Sequence, residues 1–221
     1  MCGRFAITLP DDAMANLFEA TPSNDLPNVP NYNVCPTNQV HTVTSEDGTR
    51  RLRPMRWGFL PHWYKAPNDG PLLINARSET IAEKRAFAAA CRERRCLIPA
   101  TGFYEWTKDA DGNRLPWYIS GRESQTLAFA GVFQTWDKGE TPLVTCAIVT
   151  TAANAPMSAI HHRMPVILEP SDWALWLGEN GKGAAPLMTA APDDALDWCR
   201  VDPKVNSNRA SGPDLIRPLS S

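Results

Sequence analysis

No stretch of the 221 residues approaches the ~20 consecutive apolar positions that a membrane-spanning helix requires. The start does not read as a secretory signal either, because Pro10, Asp11 and Asp12 arrive before any apolar run of the needed length. CxxC pairs are missing, and Cys91 and Cys96 have the wrong spacing for a zinc knuckle. The adjacent His161 and His162 make no metal signature, since neighbouring side chains are expected to point in different directions. Neither a metal nor a cofactor is therefore expected. Internal repeats and low-complexity linkers are absent, which removes solenoids and strings of modules. Excess positive charge is absent too: the net charge is −2, which argues against a generic DNA-coating protein. With no export signal, the six cysteines (Cys2, Cys35, Cys91, Cys96, Cys146, Cys199) are expected to stay reduced and mostly buried. The expected protein is soluble, cytoplasmic (nucleoid-associated, or nuclear if eukaryotic) and monomeric.

What is present fills a core. Hydrophobic residues make up 43%, with 8 Trp and 7 Phe, enough to exclude general disorder. "PDDAMANLFEA" reads as a short helix capped by Asp11 or Asp12, with Met14, Leu17 and Phe18 inward. "TPSNDLPNVPNYNVCP" reads as a loop. "SETIAEKRAFAAACRERR" reads as the clearest helix, with a capping box of Thr80 and Glu83. Strands then dominate: "RCLIPATGFYEW", "PWYIS", "TLAFAGVFQTW" and "LVTCAIVTT" are short, aromatic or β-branched, and bounded by Gly, Pro and Asp. "DADGNR" is a hairpin tip, and "PSDWALWLG" a helix capped by Ser171 and ended by Gly178. From Pro192 onward a helical turn and loop are expected. These elements predict a single α+β domain over 1–221, with a core of about 2–176 and residues 177–221 packing on it. Its antiparallel sheet should be strongly bent or barrel-like, with peripheral helices.

Charge is unevenly placed. Arg50 to Arg95 holds eleven Lys/Arg against four Asp/Glu, so the rest of the chain carries −9. A local basic face for an anionic partner and an ordinary solvated surface both fit this asymmetry.

Four stretches, taken in order, carry a resemblance: "MCGRF" at the start, "WGFLPHW…LINARSET" (Trp57 to Thr80), "RCLIPATGFYEW" (Arg95 to Trp106) and "AIHHRMPVIL" (Ala159 to Leu168). Together they resemble the SOS-response-associated peptidase family, now linked to the crosslinking of abasic sites. The likeness runs from residue 2 to about Trp176, with echoes at Val205-Asn206 and "DLIRP". It implies single-stranded DNA containing an abasic site as partner, and Cys2 as the reacting residue.

The residue chemistry fits that implication. If Met1 is removed, Cys2 carries an amine and a thiol on adjacent carbons. An α-amine has a pKa of ~7.7–8.0 against ~10.4 for lysine, so roughly a tenth is nucleophilic near pH 7. It can attack the ring-opened sugar aldehyde, and the thiol can then close a thiazolidine, an intramolecular step favoured by a high effective molarity. The resemblance assigns Asn75 to holding the Cys2 end, and Glu105 and His161 to proton transfer. Glu105, flanked by Phe103, Tyr104 and Trp106, should have a raised pKa, and His161 should titrate near neutrality. Arg4, Arg77 and Arg163 match positions that resemble phosphate clamps, suited by the planar guanidinium fork. Trp106 and Trp63 are candidates for stacking on bases, Thr150 for a polar contact to the DNA backbone, and Trp57 for packing. Met1 could leave through an aminopeptidase or through a peptidase activity of the same Cys2, Glu105 and His161 set. Two rivals stay open. An N-terminal-nucleophile amidohydrolase would use the same Cys2 thiol, although the HxR and NG motifs expected early in such a chain are absent. A non-covalent reader of single-stranded or modified DNA would use Cys2 only structurally.

Overall fold

Strands, not helices, organise the chain. The computed structural model describes residues 2–219. In order these form β1 (Phe5–Ile7), α1 (Asp11–Leu17), β2 (Ala20–Pro22), β3 (Asn31–Val34), β4 (Gln39–Glu46), β5 (Thr49–Trp57), β6 (Asn75–Arg77) and α2 (Ala88–Glu93). There follow β7 (Arg95–Ala100), β8 (Gly102–Lys108), β9 (Arg114–Gly121), β10 (Leu127–Trp136), β11 (Leu143–Ala152), α3 (Ala155–Ser158), β12 (Arg163–Pro165), α4 (Pro170–Leu177) and β13 (Leu196–Arg200).

The expected curled sheet closes on itself. β11, β10, β7, β4 and β5 pair in succession, and β5 then returns to β11 through Arg56–Thr145 and Trp57–Cys146. A ring of five strands cannot close with antiparallel pairs alone, so one pair must be parallel, and β5–β11 is that pair. Closure removes the exposed edges that invite aggregation. β6 then continues along the same flank of β11, with Asn75 opposite Ile148 and Arg77 opposite Thr150. Residues 58–74 thus leave the barrel and come back, and the Trp57 indole N–H, donating to the Ile74 carbonyl at 3.0 Å, ties the two ends. Trp57 is fully buried, a packing residue as expected.

A second, antiparallel sheet runs β3–β1–β8–β9–β13. Alternation along its strands gives two different faces. Phe5 and Phe103 meet Phe129 of the barrel edge-on at 6.0 and 5.9 Å, and Phe5 meets Trp57 at 5.1 Å. Each such pair adds about 0.5–1.5 kcal/mol beyond area burial. On the opposite face Ala6, Tyr104 and Tyr118 are covered by Val201, Val205 and Leu215.

Several local expectations give way to tertiary contacts. In α1, Met14 and Phe18 are buried but Leu17 is 42% exposed. Asp11 does not cap that helix; its carboxylate meets the buried His41 Nε2 at 3.0 Å. The helix expected over 78–95 shrinks to α2, and the Thr80–Glu83 capping box does not form. The Thr80 carbonyl instead accepts from the N–H groups of both Glu83 and Lys84, giving turns. Burial of Ile81, packing of Phe87 on Phe59 at 5.0 Å and the capture of Glu79 by Arg163 decide the path there. Ser171 does not cap α4, where Glu169 precedes Pro170, whereas Gly178 ends the helix at φ +87° as expected.

The supposed loop before Pro36 contains β3, because Asn33 finds distant partners: its amide donates to the Ser207 and Ala210 carbonyls at 3.1 and 2.7 Å. β13 lies in the tail where only a helical turn and loop were expected. "DADGNR" does turn between β8 and β9, with Asp109 accepting from the Asp111 and Asn113 N–H groups.

Candidate active site

Four remote segments converge at the start of the chain. β6 presents Asn75, whose Nδ2 donates to the Cys2 carbonyl at 2.9 Å. The other amide atom, Oδ1, is buried without a partner among the described residues. β8 presents Glu105, only 3% exposed. The turn before β12 presents His161, whose Nδ1 lies 3.9 Å from Glu105 Oε1. The Cys2 side chain is fully buried.

Burial sets the protonation states. It pushes the Cys2 thiol well up, and the Glu105 charge adds to the effect, so Cys2 is held as a thiol and not a thiolate. Burial also raises the Glu105 carboxyl above the usual carboxylate range. The cause differs from the one expected, because alternation turns Tyr104 and Trp106 to the far face of the sheet while Glu105 faces Cys2. Burial lowers His161 below an ordinary imidazole, and proximity of His161 lowers His162, stacked on it at 4.4 Å. A carboxyl biased toward its protonated form and an imidazole biased toward its neutral form stand 3.9 Å apart.

The Arg163 backbone serves His161 in either state. Its N–H lies 3.0 Å from Nδ1 and its carbonyl 3.1 Å away. The neutral ring accepts from the first, and a protonated Nδ1 donates to the second. The Arg163 guanidinium is turned into the protein. It grips both oxygens of Glu79 at 2.6 and 3.0 Å and donates to Thr150 O and Oγ1 at 2.7 and 3.2 Å. Thr150 is fully buried.

The other candidates separate. Arg77, opposite Thr150 on β6, is exposed and makes no ion pair among the described residues. Arg4 and Trp106 lie together, 5.9 Å apart, on the face of the second sheet turned away from Cys2. Arg4 Nη1 bonds Asn33 Oδ1 and the Val205 carbonyl, and the Trp106 indole bonds Asn206 Oδ1. Trp63 packs elsewhere, with Leu60, Tyr64 and Trp136, beneath the Arg85 guanidinium at 4.5 Å. Sequence reasoning missed Glu79 and Arg114. The second stacks over Trp106 at 4.5 Å, and no local pattern marks either one. Among the described residues no group of His, Cys, Asp and Glu is placed to hold a metal ion, and no helix is long and apolar enough to cross a membrane.

A closed barrel backed by a second sheet, with a cysteine-centred cluster where the two meet the start of the chain, defines an α+β protein with a thiol site. The family model described as SOS response associated peptidase (SRAP) matches residues 1–208. The chain belongs to that family. It is 36% identical over 98% of its length to the abasic site processing protein YoqW of Bacillus subtilis, covering 99% of that protein. It is 31% identical to the abasic site processing protein YedK of Escherichia coli, with 99% and 100% of the two chains covered. With the abasic site processing protein HMCES of Rattus norvegicus it shares 31% identity over 99% of this chain and 76% of that one. A crystal structure of a Bacteroides thetaiotaomicron protein superposes with a TM-score of 0.86 at 22% identity, covering 99% of this chain and all of the other.

Proposed function

We propose that this protein processes abasic sites in single-stranded DNA, using Cys2, as the first residue after loss of Met1, to trap the open-chain sugar as a thiazolidine. One observation supports this reading above the rest. The Asn75 amide is fastened to the Cys2 carbonyl, and its second polar atom is a buried acceptor with no donor among the described residues, the complement of a Cys2 amine. Met1 itself lies outside the described residues. The relatives named above as abasic site processing proteins supply the substrate class.

The chemistry balances with loss of one water. The amine nitrogen bonds to the aldehyde carbon, and its proton passes to the oxygen. Protonated Glu105 gives its proton to the hydroxyl, which leaves as water, and the resulting carboxylate takes the remaining N–H proton, leaving an imine. The thiol sulfur then bonds to the same carbon, and the S–H proton ends on nitrogen, carried by Glu105 or His161. A thiol kept protonated by burial suits this order, since the amine attacks first and the sulfur needs to be only close by.

Purified protein mixed with abasic single-stranded DNA should give a heat-stable species of one protein and one strand, and intact DNA of the same sequence should not. Noncovalent affinity is expected to rest on exposed cations such as Arg77. Arg77→Ala should weaken binding across all sequences and flatten the log–log salt dependence by about one unit. An unchanged salt slope would remove Arg77 from the DNA contact surface. Release of ammonia from glutamine, with no DNA adduct, would favour the amidohydrolase reading.

A further inference from the structure

We propose that Glu79 is a positioning residue for the His161 chemistry, acting through Arg163. The inference rests on the reading of His161 as a proton carrier. The connection is continuous. Both Glu79 oxygens hold the Arg163 guanidinium, at 2.6 and 3.0 Å. The same guanidinium is pinned to β11 through Thr150 O and Oγ1. The Arg163 backbone, so fixed, offers His161 Nδ1 an N–H and a carbonyl at 3.0 and 3.1 Å.

A bidentate carboxylate–guanidinium pair fixes orientation as well as distance, and Arg163 is only 8% exposed. Glu79 enters from the turn segment that follows Arg77, so one short stretch of chain carries an exposed cation and, with its side chain 47% exposed, the carboxylate that braces the buried Arg163 from the surface. The Arg163 contact also holds Glu79 below the usual carboxylate range, so the pair stays intact through neutral pH. Glu105 from β8, Arg163 from β12 and the stacked His162 are the charged or titratable neighbours of His161 among the described residues.

Without Glu79, the Arg163 guanidinium loses two of its four side-chain contacts and the 161–163 turn loosens. Displacement of a catalytic group by about 1 Å costs up to ~10²-fold in rate. The distinguishing signature is a fall in rate at saturating DNA without loss of affinity, because removing a carboxylate cannot weaken attraction to a polyanion.

The test compares Glu79→Ala and Glu79→Gln with the unaltered protein. Crosslinking is measured as single-turnover rate against abasic-DNA concentration, and amide hydrogen exchange is followed at Arg163 and at Ile148. Glu79→Ala should lower the saturating rate by roughly 10–100-fold and leave the half-saturating concentration within about twofold. Exchange at the Arg163 amide should rise at least ~10-fold with Ile148 unchanged. Glu79→Gln, which keeps one acceptor oxygen, should recover part of the rate and of the protection.

Unchanged protection at Arg163 in both variants would overturn the brace. So would a defect seen only in half-saturating concentration, which would make Glu79 a surface determinant of binding. If the unaltered protein forms no crosslink, the failure belongs to the proposed function. The exchange comparison then still decides whether Glu79 holds Arg163.

Discussion

Cys2→Ala should abolish the heat-stable DNA adduct and leave in its place a weak, reducible one. The variant keeps the α-amine but lacks the sulfur that closes the ring. An imine to the abasic sugar would still form and would hydrolyse on heating. Borohydride should therefore trap a protein–DNA species from Cys2→Ala, whereas the unaltered protein needs no reductant. The expected loss of stable adduct is essentially complete, because a five-membered thiazolidine can close only through a thiol carried by the same residue as the reacting amine. A heat-stable adduct from Cys2→Ala without reductant would show that the sulfur plays no part in the link. The substitution should not disturb the fold greatly: Cys2 precedes β1, and its backbone carbonyl keeps the bond from Asn75.

Glu105→Gln carries the second large effect. General acid–base groups contribute ~10²–10⁴-fold, and crosslinking should slow within that range while noncovalent DNA affinity holds. The sign of the pH dependence follows from burial. Because the carboxyl is raised above its ordinary value, the protonated acid survives to higher pH than a surface glutamate would allow. Water loss from the carbinolamine should then slow as pH rises through that raised value, and the slowing should vanish in Glu105→Gln.

Stability should follow the same carboxyl and also fall as pH rises. A raised carboxyl contributes stability that is fully present below its unfolded pKa of ~4.3 and is lost as pH rises through the folded value. Glu105→Gln is therefore expected to be more stable than the unaltered protein near neutral pH, with the advantage disappearing below about pH 4. Thermal unfolding at pH 4 and pH 7.5 reads this directly. A variant equally fast and equally pH-dependent would take Glu105 out of the chemistry.

Much of the fold was legible because the strands from Arg95 to Ala152 are short, β-branched and aromatic, and sharply bounded. Barrel closure was not written there: it depends on a two-residue parallel match of β5 and β11, which no local period encodes. β3 was hidden by its asparagines, which look like loop residues until Asn33 meets the carbonyls of Ser207 and Ala210. The over-long helix at 78–95 came from genuine local signals. They lost to the burial of Ile81, the packing of Phe87 on Phe59 and the capture of Glu79 by Arg163.

The site divides similarly. Cys2, Asn75, Glu105 and His161 come from four separate segments, and only the family resemblance could group them. The structure brings those four together but leaves Arg4 and Trp106 across the sheet and Trp63 in another cluster. Glu79, two residues from Arg77 in "NARSET", had no signal of its own, since its partner lies 84 positions away in the chain.

The most direct measurement is the intact mass of the crosslinked species. It should equal the chain without Met1, plus the DNA strand, minus one water. An adduct of full crosslinking competence whose mass still includes Met1 would leave no free amine at Cys2 and would contradict the proposed chemistry outright.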